Sequence, residues 1–235
     1  MLVENLIGPL DKGESLNKLI LIRHGQSTYN LENKFTGWKD VELTNKGIDE
    51  AEECSDLLKD LLIDKCFTSN LVRAQNTLSI ILNKLNQNPQ VVKNEALNER
   101  DYGDLIGKNK AETAKKYGDK QVEIWRRSYD TPPPNGESLK MTCERVLPYF
   151  ENVIMQDNLF EKNNSNILIS AHGNSIRAIV MHLFNLSPKL ILKTEIGWCE
   201  PWVFTFDKNT IIDFNILTRK EKSNSKLPIE FNFQS

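Results

Sequence analysis

Two short apolar runs in this chain of 235 residues each end in the dipeptide His-Gly. The first, LILIRHG, covers residues 19–25, and the second, ILISAHG, covers residues 167–173. Runs of this length without polar alternation are typical of strands that are buried on both faces of a parallel sheet. The carboxyl ends of parallel strands meet at one edge of the sheet, where ligands bind in such folds. We therefore expect His24 and His172 to face a common pocket at that edge.

Strand-like and helix-like patterns alternate along the rest of the chain. The predicted strands are KLILIR (18–23), NILISAH (166–172), the weaker KCFTS (65–69), and a late hairpin of WVFTF (202–206) and TIIDFNIL (210–217). Helical periodicity runs from an N-cap at Thr44 to Leu62, from Ala74 to Leu85, and from Leu139 to Val153 with a kink at Pro148. This alternation predicts an α/β fold in which helices cover both faces of a mostly parallel sheet.

The length of the chain fits one large domain. We assign residues 18–217 to a single α/β domain, residues 1–17 to an N-terminal extension and residues 218–235 to a C-terminal tail. The polar segments between the predicted elements are of loop size, and no internal repeat is found.

Charge and cysteine usage restrict the partners and the compartment. The 30 Lys and Arg residues nearly balance the 32 Asp and Glu residues, so no global field favours nucleic acid or an anionic membrane as a partner. The four cysteines show no CxxC spacing, which favours reduced thiols. The first residues lack the basic segment of a signal peptide, and no apolar run has the length of a membrane span. These features predict a cytoplasmic protein.

Cationic side chains lie at the ends of the same predicted strands. Arg23 precedes His24, and Gly25 lets the chain leave the strand, so that two consecutive side chains can share one pocket. Arg73 follows the weaker strand and lies in the first turn of the next helix, whose amino end also favours an anion. Further candidates for the pocket are Glu99, Arg100, Tyr102, Lys110, Arg126 and Arg127.

Each of these residues, taken singly, is more often a structural or solvent-exposed side chain, so the prediction depends on their convergence. Buried cations that outnumber carboxylates are unstable unless an anion neutralises them. A phosphate suits guanidinium donors best, because its oxygens accept their hydrogen bonds in pairs. If the groups converge, the sequence predicts a phosphate site.

Other uses of the two histidines have less support. A metal site is disfavoured because Arg23 is adjacent to His24 and no HxH or HxxxH spacing occurs. The chain contains no GxxxxGK[ST] or GxGxxG motif for a nucleotide, and no GxSxG motif for a serine hydrolase.

The motifs RHG (23–25) and HGN (172–174) resemble the histidine phosphatase superfamily. LIRHGQSTYNLENKFTGWKDVELTNKG, TSNLVRAQNT, the segment from NERDYG to TPPP, and ISAHGNSIRAI together resemble the cofactor-dependent phosphoglycerate mutases over about residues 18–206. This resemblance implies a mixed, mainly parallel sheet flanked by helices, and interconversion of 3-phosphoglycerate and 2-phosphoglycerate. It also implies priming by 2,3-bisphosphoglycerate, no metal, and phosphoglycerates as the small-molecule partners, with a homodimer or homotetramer left open.

The resemblance also implies roles for individual residues. His24 would carry the phosphoryl group, and Glu99 would be the general acid and base. Arg23, Arg73, His172 and the backbone of Gly173 would hold the transferred phosphate. The rest of the substrate would be held by Asn30, Thr36, Gly37, Tyr102, Lys110, Arg126, Arg127 and Asn174.

Two segments depart from the pattern of these mutases. TPPP continues directly into NGESLKMT, where many mutases have an additional loop, and GESL is also common among phosphatase relatives. The segment TEIGWCEPWVFTFD, which begins at Thr194, lacks their usual Thr-Gly-hydrophobic-Pro sequence. A phosphomonoesterase that uses the same histidine is therefore the alternative from the same class, and an inactive phosphate-binding protein is the alternative from another class. Lys110, Arg126 and Arg127 favour the mutase, and intact His24, Glu99 and His172 argue against an inactive protein.

Overall fold

A computed structural model describes residues 16–157, 164–219, 221 and 223–228 of the chain. Residues 1–15, which make up nearly all of the predicted N-terminal extension, lie outside the described residues. The described residues form a six-stranded sheet with helices on both faces. The strands are β1 (Asn17–Arg23), β2 (Lys65–Thr68), β3 (Gln90–Lys93), β4 (Asn166–Ala171), β5 (Trp202–Asp207) and β6 (Thr210–Ile216).

The sheet is mixed and mainly parallel. Its strand order is β3-β2-β4-β1-β5-β6, with parallel pairing from β3 to β1 and antiparallel pairing from β1 to β6. The pairing of β1 with β4 places Arg23 opposite Ala171. The residues that follow these two strands are therefore next to each other at the same edge.

Helices connect the strands and cover the sheet. They are α1 (Thr28–Leu31), α2 (Asn45–Leu57), α3 (Val72–Leu85), α4 (Lys110–Tyr117), α5 (Asp119–Arg127), α6 (Leu139–Tyr149), α7 (Gly173–Leu183) and α8 (Pro188–Ile191). Short 3-10 turns occupy Glu95–Leu97 and Gly103–Leu105, and a π-helical turn occupies Phe150–Ile154, directly after α6 and Pro148. Within the described residues, the helices are all too short or too polar to cross a membrane.

Alternate residues of β1 pack into two separate apolar layers, as strand geometry requires. Leu19 and Leu21 lie in the layer formed with α6 and α7. Ile20 and Ile22 lie in the layer formed with α2 and α3. All four side chains are fully buried, and burial of each contributes about 1.5–3 kcal/mol. The strand is thus fixed on both faces just before the chain reaches His24.

The structure confirms the three predicted strand segments and the late hairpin, as well as Thr44 as the N-cap of α2. The prediction that this helix continues to Leu62 is wrong, because α2 ends at Leu57. The amide of Leu61 donates to the carbonyl of Leu58, so the chain turns there toward β2. Leu62 is 69% exposed. The apolar spacing in the sequence continues past the end of the helix because Leu58, in the turn, is also buried.

Two glycines allow the loop after β1 to cross the start of α2 at close range. A Cβ atom on Gly25 would lie 2.2 Å from the carbonyl oxygen of Gly47, and a Cβ atom on Gly47 would lie 2.2 Å from the carbonyl oxygen of Gln26. The amide of Gly47 also donates to Oγ1 of Thr44, the N-cap residue of α2, at 3.1 Å. This crossing fixes the backbone on the carboxyl side of His24.

We predict that Gly47→Ala destabilises the protein by at least about 2 kcal/mol, since the new methyl group overlaps backbone that cannot turn away. The gain of about 1 kcal/mol that alanine brings to a helix interior is smaller. Urea denaturation followed by circular dichroism measures the change. Glu53→Ala, an exposed position in the same helix, is the control and should stay within about 0.5 kcal/mol of the parent. Equal stability of the two variants would contradict the close crossing.

Candidate active site

The two histidines predicted to share a pocket are in contact. The amide of His24 continues the β1–β4 pairing by donating to the carbonyl of Ala171 at 3.0 Å. The ring centroids of His24 and His172 are 5.0 Å apart, with 62° between the ring planes. His24 is 3% exposed and His172 is fully buried. The sheet register thus brings two buried imidazoles together from segments far apart in the sequence.

The hydrogen bonds of His24 define its tautomer. Nδ1 lies 2.7 Å from the carbonyl oxygen of Gly25, which can only accept, so Nδ1 carries the proton. Nε2 accepts a hydrogen bond from Nε of Arg73 at 3.3 Å. The Nε2 atom of His24 therefore presents a lone pair rather than a proton.

His172 is oriented by the serine that follows β2. Its Nε2 lies 2.7 Å from Oγ of Ser69, and that oxygen already accepts the amide of Leu71. When the Ser69 hydroxyl donates to Nε2, the proton of His172 resides on Nδ1. That Nδ1 atom is buried and has no hydrogen-bond partner among the described residues. His172 can then donate to an oxygen of a bound anion.

Both imidazoles are held neutral. Burial lowers the pKa of His24 and of His172 well below the ordinary 6.5, and the positive charges of Arg73 and Arg23 lower both values further. Both pKa values fall because the charged imidazolium loses its hydration on burial and is repelled by the like charges of the arginines. At neutral pH each imidazole is therefore neutral, with one N–H group, so that the pair can act as nucleophile and hydrogen-bond donor.

Arg73 is fixed by the loop between β1 and α2. It lies in the first turn of α3, is 1% exposed, and donates to the carbonyl oxygens of Gly37 at 2.8 Å and Lys39 at 2.9 Å. Burial lowers its pKa to about 10, which still leaves the guanidinium charged at neutral pH. The third donor, Nε, points at His24, so a fixed positive charge adjoins the imidazole.

Arg23 is held from the other side by the segment after α8. It donates from Nη1 to the carbonyl oxygen of Ile196 at 2.8 Å, and its guanidinium carbon lies 5.4 Å from the ring centre of Trp198. Its Nε is buried without a hydrogen-bond partner in the described part of the chain. Burial lowers the pKa of Arg23, which nearby carboxylates including Glu99 partly offset. An unsatisfied donor of this kind favours an anion.

The carboxylate of Glu99 is oriented by three N–H groups. Its Oε1 accepts the amide of Arg100 at 2.7 Å, the amide of Asn174 at 3.1 Å and the side-chain amide of Asn174 at 2.9 Å. The backbone carbonyl of Glu99 accepts from Trp38 Nε1 and from Nη2 of Arg145. Arg145 in turn pairs with Glu137 at 2.8 Å. Glu99 is thus tied both to the start of α7 and to α6.

A cavity of about 240 Å³ opens beside these buried groups. All eight residues predicted to hold the rest of the substrate line it, and so does Gly173, which was predicted to hold the transferred phosphate. The eight are Asn30, Thr36, Gly37, Tyr102, Lys110, Arg126, Arg127 and Asn174. Arg23 and Glu99 line it as well. His24, Arg73 and His172 are buried and do not line the cavity themselves, but residues next to them do: Arg23, Gly37 and Gly173. The cationic groups predicted to converge on an anion site therefore do so, except Arg100. Arg100 is buried, does not line the cavity, and donates to the Tyr102 hydroxyl and to the carbonyls of Trp125 and Arg126.

Sequence reasoning missed four residues that line the cavity: Lys34, Phe35, Arg177 and Glu195. Arg177 follows Asn174 by one turn of α7, and that spacing could have indicated it. Glu195 lies in a loop after α8, where no local pattern predicts its position. Arg145 and Glu137, which fix the backbone of Glu99, were also missed, although GESL was noted as a motif.

Similar folds occur among solved structures. A mycobacterial glucosyl-3-phosphoglycerate phosphatase superposes with a TM-score of 0.72 at 20% identity, covering 90% of this chain and all of that one. A putative alpha-ribazole-5'-P phosphatase from Escherichia coli superposes with a TM-score of 0.70 at 21% identity, covering 85% of this chain and 94% of that one. At these identities the likeness shows the fold alone.

The relatives found by sequence identify the family more narrowly than the solved structures do. The family model of the histidine phosphatase superfamily (branch 1) matches residues 19–213. The 2,3-bisphosphoglycerate-dependent phosphoglycerate mutase of Parvibaculum lavamentivorans is 49% identical over 209 residues, covering 87% of this chain and 98% of the relative. The enzyme of the same name from Rhodopseudomonas palustris is 50% identical over 197 residues, covering 83% and 94%. The chain therefore belongs to branch 1 of the histidine phosphatase superfamily and, within it, to the 2,3-bisphosphoglycerate-dependent phosphoglycerate mutases.

Proposed function

We propose that this protein interconverts 3-phosphoglycerate and 2-phosphoglycerate through phosphorylation of His24. The single observation that carries the proposal is the neutral imidazole of His24, whose Nε2 lone pair lies beside the guanidinium of Arg73. A neutral imidazole is a good nucleophile near pH 7 when its other nitrogen donates to a fixed acceptor. The names of the two sequence relatives described above support the same reaction.

The transfer follows from this geometry. Phosphorylated His24 gives its phosphoryl group to the 2-hydroxyl of 3-phosphoglycerate: the N–P bond breaks, an O–P bond forms, and Glu99 takes the hydroxyl proton. The 3-phosphoryl group then passes to Nε2 of His24, and Glu99 returns the proton to the 3-oxygen. Arg23, Arg73 and His172, with the backbone of Gly173, stabilise the negative charge on the phosphoryl oxygens.

The remaining residues of the cavity would bind the glycerate. Cations reach it from separate elements, with Lys110 at the start of α4 and Arg126 and Arg127 at the end of α5. Asn30, Thr36, Gly37, Tyr102 and Asn174 complete the lining. A cavity with this many cations suits a ligand that carries a second anionic group, and it retains the phosphoglycerate between the two transfers. A general phosphatase has less need for these distal cations, so they favour the mutase.

The same residues fit a bisphosphate primer, because Nε of Arg23, which has no partner among the described residues, and the cations of α4 and α5 provide more than one place for a phosphoryl group. 2,3-Bisphosphoglycerate supplies the first phosphoryl group to unphosphorylated His24. We also propose that no metal ion takes part, since Arg23 and Arg73 already supply positive charge beside His24 and would repel a dication. Self-association into a homodimer or homotetramer and a cytoplasmic location stay predictions from the sequence.

The test is a phosphorylation experiment. Incubation with 2,3-bisphosphoglycerate should yield an acid-labile phosphoprotein modified at His24, which should convert 3-phosphoglycerate into 2-phosphoglycerate with little release of inorganic phosphate. His24→Ala should lose both properties. His182→Ala, at an exposed histidine on α7, is the matched control and should keep them. Inorganic phosphate as the main product would support the phosphomonoesterase instead, and full turnover by His24→Ala would overturn the proposal.

A second prediction concerns Glu99. Glu99→Gln retains an acceptor oxygen for the amides of Arg100 and Asn174 but cannot take up a proton. We expect a loss of about 10²–10⁴ in kcat, the range for general acid–base catalysis, with little change in KM. Steady-state kinetics and calorimetric binding of 3-phosphoglycerate measure the two effects. A variant that keeps the parent kcat would exclude Glu99 as the acid and base.

A further inference from the structure

Glu195 is a carboxylate in a cavity whose charged side chains are mainly cationic. Its Oε1 lies 2.9 Å from Nη2 of Arg127, and its Oε2 lies 3.1 Å from Nη2 of Arg177. The three residues come from different places in the fold: α5, α7 and the loop after α8. All three line the cavity. Glu195 therefore bridges two cations at the place where an anionic ligand binds.

The two arginines differ in how much they depend on Glu195. Arg177 also donates to the carbonyl of Thr194 at 3.0 Å and to Oδ1 of Asn174 at 3.3 Å, and its side chain is 11% exposed. Arg127 is 40% exposed and pairs with Glu195 at the end of its helix. Arg177 is thus a fixed structural partner, and Arg127 is the cation that can change partners.

The backbone of Glu195 is held in place by the chain's last described segment. The amide of Glu195 donates to the carbonyl of Lys226 at 2.9 Å, and the amide of Lys226 donates back at 2.8 Å. Oγ of Ser225 accepts the amide of Gly197 at 2.9 Å, and the carboxylate of Glu200 accepts the amides of Asn224 and Ser225. Because the backbone is fixed on both sides, the carboxylate can leave Arg127 only by rotation of the Glu195 side chain.

Space for this rotation exists. Glu195 also lines a neighbouring cavity of about 370 Å³, whose lining includes Lys46, Trp198 and Asn224. Its side chain is 43% exposed, so the carboxylate keeps contact with water as it turns. An exposed ion pair of this kind is weak, which makes its exchange for a ligand inexpensive.

We infer that Glu195 is a specificity-determining counter-anion, which occupies Arg127 in the empty site and competes with the anionic end of the incoming ligand for it. The carboxylate weakens the binding of phosphoglycerates. It weakens the binding of the more highly charged bisphosphate most, because repulsion scales with ligand charge. The enzyme thereby limits how tightly the bisphosphate is held relative to the monophosphates. This inference rests on the proposed function for the identity of the ligands.

The test compares Glu195→Gln, which removes the charge and keeps the size, with the parent enzyme. We expect the dissociation constant of 3-phosphoglycerate, measured by calorimetry on proteins that also carry His24→Gln and so cannot be phosphorylated there, to fall about two- to tenfold, and that of 2,3-bisphosphoglycerate to fall further. KM should fall with kcat unchanged or lower. Asp56→Asn is the matched control, because Asp56 also bridges two cations, Lys84 and Arg219, at a site outside the cavity. It should leave both constants unchanged.

A double-mutant cycle with Arg127→Gln identifies the mechanism, since contacts of this kind couple the two substitutions. In the Arg127→Gln background, Glu195→Gln should tighten ligand binding by less than half as much as it does in the parent enzyme. Weaker binding by Glu195→Gln would show that Glu195 supports Arg127 rather than competes for it, and would overturn the inference. An equal gain in both backgrounds, or an equal gain for both ligands, would also overturn it. Failure of the parent enzyme to interconvert phosphoglycerates would instead refute the proposed function, while the binding constants would still report on Glu195.

Discussion

The pairing of β1 with β4 is the constraint on which the site depends. Because Arg23 lies opposite Ala171, the next residue of each strand is a histidine, and the two rings meet at 5.0 Å. A shift of one residue would exchange the two apolar layers of the strand, so the register is strongly specified by the core. The burial that fixes the register also removes water from both imidazoles and keeps them neutral.

The charges around this pair explain why the pocket suits a phosphoryl group. Arg73 is bound by two backbone carbonyls, and Arg23 by one carbonyl and an aromatic ring, so both guanidinium groups are held in place before a ligand arrives. Preorganised donors of this kind are the main source of transition-state stabilisation in phosphoryl transfer. In the part of the chain that the structure describes, Nε of Arg23 and Nδ1 of His172 have no hydrogen-bond partner, and a phosphoryl oxygen would supply one to Arg23 and, with the proton on Nδ1, to His172. Glu195, which pairs with Arg127 and Arg177, moderates the positive charge of the same cavity.

Much of this arrangement was predictable from the sequence because its parts are local. Apolar runs mark the buried strands, and the His-Gly pairs mark their ends. The edge strand β3 was missed, because it has only four residues and most of them are exposed. The extent of α2 was wrong, because a buried turn continued its apolar period past Leu57. Glu195 and Arg145 were beyond reach for another reason: their roles arise from contacts with distant segments, which no local pattern records.

The central claim is that His24 is a neutral imidazole with its proton on Nδ1 and its lone pair on Nε2. Nitrogen-15 NMR of the unphosphorylated enzyme, with the ring signals assigned by comparison with His24→Gln, measures this directly across a pH titration. We predict the Nδ1–H tautomer at pH 7 and no second proton on the His24 ring until the pH is well below 6.5, because burial and the adjacent arginines lower its pKa. A proton on Nε2 at neutral pH, or titration of His24 at or above 6.5, would contradict it.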